Sequence, residues 1–333
     1  MESSSTAHRA PSRRRTLVYA ALAAVAVVGG TAGGTVYVKA QAHSGAGAVS
    51  SVSGSPSVSA SPSASASGEA PMASVEAVAQ PVVDHDELLA EAMESVTVED
   101  GAEVSVAVLD LASGASASYG DGLFDTASIV KVDILAALLL QAQDAGRELT
   151  AAEKSYATAM IEHSDNTSAS ALWRTIGKAA GLDAANERLG LTDTEGGDNM
   201  LWGLTQTTAT DQLVLLQQVF GEKNSELTEA SRSYVQGLMA RIAAGQQWGV
   251  SAAADGSAWA LKNGWLPRTA TGLWDINSIG RITVDGHRCL VAVLSDGNST
   301  QAKGISLVEA AARAAIPVVS EKKPTASASA SVS

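Results

Sequence analysis

The sequence predicts a mixed α/β (α+β) domain in which an antiparallel sheet, built from both ends of the domain, is flanked by terminal helices and backed by an all-helical middle layer. Three observations lead there. Alternating, β-branched stretches cluster at the two ends of the globular region, capped helical patterns fill the interval between them, and an apolar helical pattern closes the domain.

The 333 residues divide into unequal parts. Residues 1–42 hold a basic segment with Arg13, Arg14 and Arg15, followed by the uncharged run LVYAALAAVAVVGGTAGGTVYV at residues 17–38. Its 22 residues match the length of a bilayer-spanning helix. Basic residues ahead of such a run orient that end to the cytoplasm and the rest of the chain outside. AQA at Ala40–Ala42 also fits a small-residue cleavage site, so the run reads either as a membrane anchor or as a signal removed near Ala42. Both readings put the domain in an extracytoplasmic location. Residues 43–80 are nearly all Ser, Ala, Gly, Val and Pro, with too little large apolar surface to offset the entropy of ordering. They are expected to form a disordered linker, and residues 318–333 a tail of the same kind, leaving 81–317 as the folded domain.

Within that domain, AEVSVAVLDLASGASASYG (102–120) reads as two strands around a Ser–Gly turn. FDTASIVKVDILAALLLQAQ (124–143) opens a helix that Gly146 stops. Thr150 and Glu153 form a capping box for AAEKSYATAMIEH. NTSASALWRTIG, LDAANERLG, TDQLVLLQQVF and TEASRSYVQGLMARIA follow as further helices. From Trp259 the period becomes two, in AWALKNGW, WDINSIGRITV and HRCLVAVLSDG, with Asp285-Gly286 as a hairpin turn between the last two. GISLVEAAARAAI ends the domain as a helix.

Composition excludes several functions. A net charge of −13, with no basic stripe beyond the first fifteen residues, argues against nucleic acid. The single cysteine, Cys289, lies in the apolar run CLVAVL; it cannot form a disulfide within the chain and reads as a buried hydrophobe.

The chemistry begins with a lysine in an apolar run. Lys131 follows Ser128 by three residues, so the two share one face where a helix begins. The free N–H groups and macrodipole of a helix N-terminus favour developing negative charge. Burial in apolar surroundings lowers a lysine's pKa, and a neutral amine beside a hydroxyl can take its proton. Alone, the pair would equally fit a capping serine with a snorkelling lysine. Two further matches follow in order: Ser164-Asp165-Asn166 after a helix, and Lys262-Asn263-Gly264 on a strand.

With these three motifs the chain resembles the class A β-lactamases and penicillin-binding proteins, across residues 95–316. The resemblance implies a β-lactamase-like fold and an active-site serine hydrolase in which Ser128 forms an acyl-enzyme, Lys131 accepts or relays its proton, and Ser164 passes a proton to the leaving nitrogen. Lys262 would assist electrostatically, and Asn166, Asn263, Gly264 and Trp265 would contact substrate, with the backbone N–H groups of Ser128 and Trp265 as the oxyanion hole. Asp165 would tie its own loop, and His163 takes no part. It implies no metal and no organic cofactor, and a β-lactam or cell-wall peptide as substrate; a monomer is expected.

Departures from the family sharpen the reading. Asn263 stands where Thr or Ser is usual, though an amide can still donate to a substrate carboxylate. Trp265 puts a large ring where a smaller residue is common. The Ser128–Ser164 interval is short, implying a trimmed helical layer. The family's deacylating Glu, followed by Leu-Asn, has no counterpart in LGLTDTEGGDNMLWGLTQTTATDQ. Glu195 is the glutamate on offer as a base, beside a Gly196-Gly197 pair that reads as an exposed turn, with Asp198 and Asn199 weaker candidates. The leading expectation is a β-lactamase-type hydrolase. A D,D-peptidase (penicillin-binding protein) acting on cell-wall peptides and a non-catalytic wall-binding module on the same fold are the alternatives.

Overall fold

Both faces of the central sheet are buried, and the strand sequences show why. In a computed structural model that describes residues 83–256 and 258–320, HRCLVAVLSDG forms the middle strand, with Cys289, Val291 and Val293 entering one core and Leu290, Ala292 and Leu294 the other. A strand covered on both sides has no polar face to present, so it reads as a continuous apolar run. Cys289 is fully buried there, and burial pushes its thiol up to about 11.

The sheet is antiparallel and mixes the two ends of the domain. Its strands are β1 (Glu103–Asp110), β2 (Ser116–Tyr119), β5 (Ala260–Pro267), β6 (Trp274–Val284) and β7 (His287–Asn298), in the order β2-β1-β7-β6-β5. Asp285 and Gly286 join β6 to β7 with φ of 50° and 80°, the pair of positive angles that a two-residue hairpin needs. α1 (His85–Met93) and α8 (Gln301–Ser320) cover one face. The last helix thus runs three residues past the expected boundary at 317, through Pro317. The apolar run at 17–38, the linker and the residues after Ser320 lie outside the described residues; among those described, no helix is long and apolar enough to cross a membrane.

The opposite face carries the helical layer: α2 (Val130–Asp144), α3 (Ala151–Glu162), α4 (Asn166–Ile176), α5 (Lys178–Leu189), α6 (Ala209–Phe220) and α7 (Glu229–Met239). α2 is its axis. Nearly every residue from Val130 to Leu140 is buried, because α3, α4, α5 and α7 all pack on it, and a helix apolar on all sides needs such an enclosure. α3 starts at the capping box of Thr150 and Glu153, as its sequence predicts. Only α2 and α3 lie between Ser128 and Ser164, which accounts for the short interval.

A small second sheet pairs β3 (Phe124–Asp125) with β4 (Gln206–Thr207), which the sequence reading does not anticipate. It clamps the loop that precedes α6 to the turn that carries Ser128. Thr126 N donates to Thr205 O at 2.9 Å, and the Gln206 amide donates to the Asp125 carboxylate. The loop's other anchors are two aspartates. Asp211 Oδ2 accepts from Asp193 N at 2.8 Å and from Thr194 Oγ1 at 2.7 Å, and Asp183 Oδ1 accepts from Gly196 N at 2.8 Å. Gly197 N donates to Thr205 Oγ1 at 3.1 Å, so the Gly196-Gly197 pair is tied into the fold and Gly197 is buried, in place of the exposed turn expected.

Replacing Asp211 by alanine strands the Asp193 amide and leaves the Thr194 hydroxyl with Thr207 Oγ1 alone, at 2.8 Å. The Asp211→Ala variant is expected to lose about 1–3 kcal/mol of stability, the usual cost of an unsatisfied buried partner, and urea unfolding of both proteins measures it.

Candidate active site

Ser128 sits on a 3-10 turn, Ala127–Ile129, that leads directly into α2. Ala127 before it holds φ of 48°, a left-handed angle that a non-glycine residue keeps only where its surroundings demand it. Ser164 is a second case, with φ of 55°, between the end of α3 and the Asp165 N-cap of α4. Both serines therefore sit on bent backbone at helix ends, half-buried rather than enclosed.

Between them lies Lys131, fully buried in the first turn of α2. Its Nζ is 2.8 Å from Ser128 Oγ, 2.9 Å from Ser164 Oγ, 2.7 Å from Ser164 O and 2.8 Å from Asn166 Oδ1. Burial lowers its pKa to about 7, against a smaller opposing pull from Asp165. The partners suit a neutral amine. Two N–H groups satisfy the carbonyl oxygens of Ser164 and Asn166, which can only accept, and the lone pair remains for a hydroxyl proton from either serine. Across Ser164 stands a second buried lysine. Lys262 Nζ is 3.1 Å from Ser164 Oγ and 2.8 Å from Asn263 O, and burial, then the neighbouring Lys131, holds its pKa well below the usual lysine value. Two amines around one hydroxyl discourage each other's charge.

β5 is the outer strand of the sheet and lies against the Ser128 turn. A Cβ at Gly264 would stand 2.7 Å from Thr126 O and 2.8 Å from Ser128 N, so only glycine lets the strand reach the nucleophile turn. The structure thus draws Ser128, Lys131, Ser164, Asn166, Lys262 and Gly264 together. Asp165 caps α4, its Oδ2 accepting from Ser168 N at 2.6 Å, and His163 is exposed.

Asn263 corrects the expectation of an amide aimed at substrate. It is fully buried, its Nδ2 donates to Gln246 O at 2.8 Å and Trp248 O at 2.9 Å, and its Oδ1 accepts from Ser278 Oγ at 2.6 Å. Every polar atom is spent on holding the 244–253 loop to the sheet. Trp265, half-exposed, has its ring 6.0 Å from that of Trp248 and packs on the α8 side of the sheet. Glu195 is not drawn in. Its backbone bridges Gln206, its side chain is exposed, and among the described residues no carboxylate hydrogen-bonds Ser128, Lys131 or Ser164.

Sequence reading misses Trp202. It begins a 3-10 turn, Trp202–Leu204, within the loop before α6, and its indole face lies 4.9 Å from Lys131 Nζ. Its Nε1 donates to Ser170 Oγ at 3.1 Å. It also misses the ion group of Arg268 with Asp125 and Asp275, which joins β5 to the clamp; burial raises the Asp275 carboxyl to about 6. Neither group has a local motif, since their partners come from distant segments.

Two half-buried serines on either side of a buried lysine, with a second buried lysine beside them on an antiparallel sheet, are the arrangement of an active-site serine hydrolase. A family model described as the beta-lactamase enzyme family matches residues 146–319, and the chain belongs to that family. The match spans Ser164, Asn166 and Lys262 but starts beyond Ser128 and Lys131, which rest on the geometry above. Among solved structures the chain is similar to PBP-A (21% identity, TM-score 0.59, 68% of this chain and 94% of that one). It is also similar to a PBP-A mutant solved as an acyl-enzyme complex with penicillin-G (22%, 0.59, 68% and 94%), and to the TLA-1 extended spectrum β-lactamase (16%, 0.61, 70% and 97%). No curated protein matches the chain.

The close approach at Gly264 is directly testable. Gly264→Ala is expected to cost about 1–3 kcal/mol by overpacking the strand against the Ser128 turn, read from denaturant midpoints.

Proposed function

We propose that this domain is a penicillin-binding serine hydrolase that acts outside the cytoplasmic membrane, is acylated at Ser128 by β-lactams or related cell-wall peptide amides, and releases the acyl group slowly. The observation that carries the reading is the Lys131 amine, 2.8 Å from one hydroxyl and 2.9 Å from the other.

The steps follow from that geometry. Neutral Lys131 takes the Ser128 proton as Oγ attacks the carbonyl carbon, and the oxyanion forms against the backbone N–H groups expected from Ser128 and Trp265. The C–N bond breaks as the nitrogen takes a proton from Ser164 Oγ, which recovers one from the Lys131 ammonium. Lys262, on the other side of Ser164, steadies that hydroxyl as it gives up its proton. Asn166 keeps its Nδ2 without a partner among the described residues, available to a substrate carbonyl. Hydrolysis of the resulting ester needs a base for water, and the exposed Glu195 makes no hydrogen bond to Ser128, Lys131 or Ser164. The want of a carboxylate bonded to these groups, among the described residues, supports a penicillin-binding peptidase over an efficient β-lactamase. The acyl-enzyme reported for a PBP-A mutant with penicillin-G, on a similar fold, agrees with this chemistry. Arg13–Arg15 ahead of the 17–38 run support the location.

The withdrawn Asn263 favours the second reading, a non-catalytic wall-binding module, because one expected substrate contact is spent within the fold. A fluorescent penicillin decides between them: wild type is expected to label covalently and Ser128→Ala to lose the label entirely, whereas an unlabelled wild type would leave only the binding module. The labelling rate is expected to rise with pH through about 7, falling roughly tenfold for each unit below it, because only the deprotonated Lys131 accepts the proton.

A further inference from the structure

We propose that Trp202 is a positioning residue that keeps water away from the Lys131 amine and thereby sets the lifetime of the acyl-enzyme. The proposal rests on the reading above, and its test separates the two.

The surroundings of Nζ leave little room for a fifth polar neighbour. Four oxygens lie within 2.9 Å, from Ser128, Ser164 (two) and Asn166, and the indole of Trp202 covers a further side at 4.9 Å. Lys131 as a whole has no exposure to solvent. An aromatic face holds an ammonium well but offers no oxygen that could carry a proton to an ester. The ring is fixed at both ends. Its N–H is bound to Ser170 Oγ on α4, and the backbone that follows runs alongside the Ser128 turn, where a Cβ at Gly203 would make ordinary contact with Ala127 at 3.8 Å. The next residue but one, Thr205, receives the Thr126 amide at 2.9 Å. Trp202 therefore belongs to the same clamp that positions Ser128, and it fills space beside the base where a hydrolytic water would have to stand.

Deacylation has a defined balance. Water attacks the ester carbonyl and gives its proton to neutral Lys131; the bond from the acyl carbon to Ser128 Oγ breaks, and Oγ takes the proton back from Lys131. The products are the free acid and the resting enzyme, so the step needs only water and an amine it can reach. With the indole in place, that approach is blocked. With the indole removed, a water bound to Lys131 Nζ can act in its stead.

Intact-mass spectrometry of the full chain after exposure to benzylpenicillin, followed by removal of free drug, reads both half-reactions. The wild-type adduct is expected to persist. In Trp202→Ala the ratio of adduct decay to adduct formation is expected to rise at least tenfold, whereas Trp202→Phe, which keeps a ring over the amine, stays within about threefold of wild type. Ser170→Ala, a milder change that only frees the indole N–H, is expected to raise the ratio several-fold and decides the matter if the alanine variant fails to fold. Wild-type decay in both Ser170→Ala and Trp202→Ala, or equal acceleration by Phe and Ala, would assign the lifetime to another feature and overturn the proposal. Absence of any adduct on the wild type would instead overturn the function on which it rests.

Discussion

The amine of Lys131 is the constraint around which the molecule is arranged. Burying a lysine in the first turn of an apolar helix costs several kcal/mol if it stays charged and unpartnered. The chain meets that cost with four oxygens from two helix ends and an indole face, and with a pKa lowered to about 7. Each oxygen comes from backbone or a side chain that must be held within a few tenths of an ångström. The strained angles at Ala127 and Ser164 are part of this, since relaxing either would carry a serine away from the amine.

Holding the two sides together falls to the sheet and the loop before α6. The outer strand β5 supplies Lys262 and, through Gly264, touches the Ser128 turn directly. The short β3–β4 pair, the Asp125–Arg268–Asp275 group and the aspartates Asp183 and Asp211 then fasten the loop across the site. The backbone contacts among them, the β3–β4 pairing and the Asp193 and Gly196 amides, fix geometry with little dependence on which side chains those positions carry. The same loop can therefore carry the Trp202 indole up to the Lys131 amine on a backbone that the clamp holds.

Asn263 shows the converse. The Asn263 amide is long enough to reach the carbonyls of Gln246 and Trp248, and its oxygen accepts from Ser278 Oγ. A hydroxyl could not span both carbonyls. The side chain is a staple for the 244–253 loop, beside the Trp248–Trp265 ring contact.

Much of this was legible in the linear chain. The period-two strands at both ends, the capped helices between them and the Asp285-Gly286 hairpin are local signals, set by propensity and by the alternation of burial along each element. The three motifs place Ser128, Lys131, Ser164 and Lys262 on those elements in order, and the apolar run around Lys131 already states that its charge will be discouraged. Tertiary structure alone decided that Asn263 is buried, that Glu195 stays at the surface, and that the Trp202 ring lies beside the Lys131 amine. The physical reason is common to all three. Whether a polar or aromatic side chain meets solvent, substrate or a distant carbonyl depends on segments more than ten residues away, and no local pattern encodes the direction from which that partner arrives.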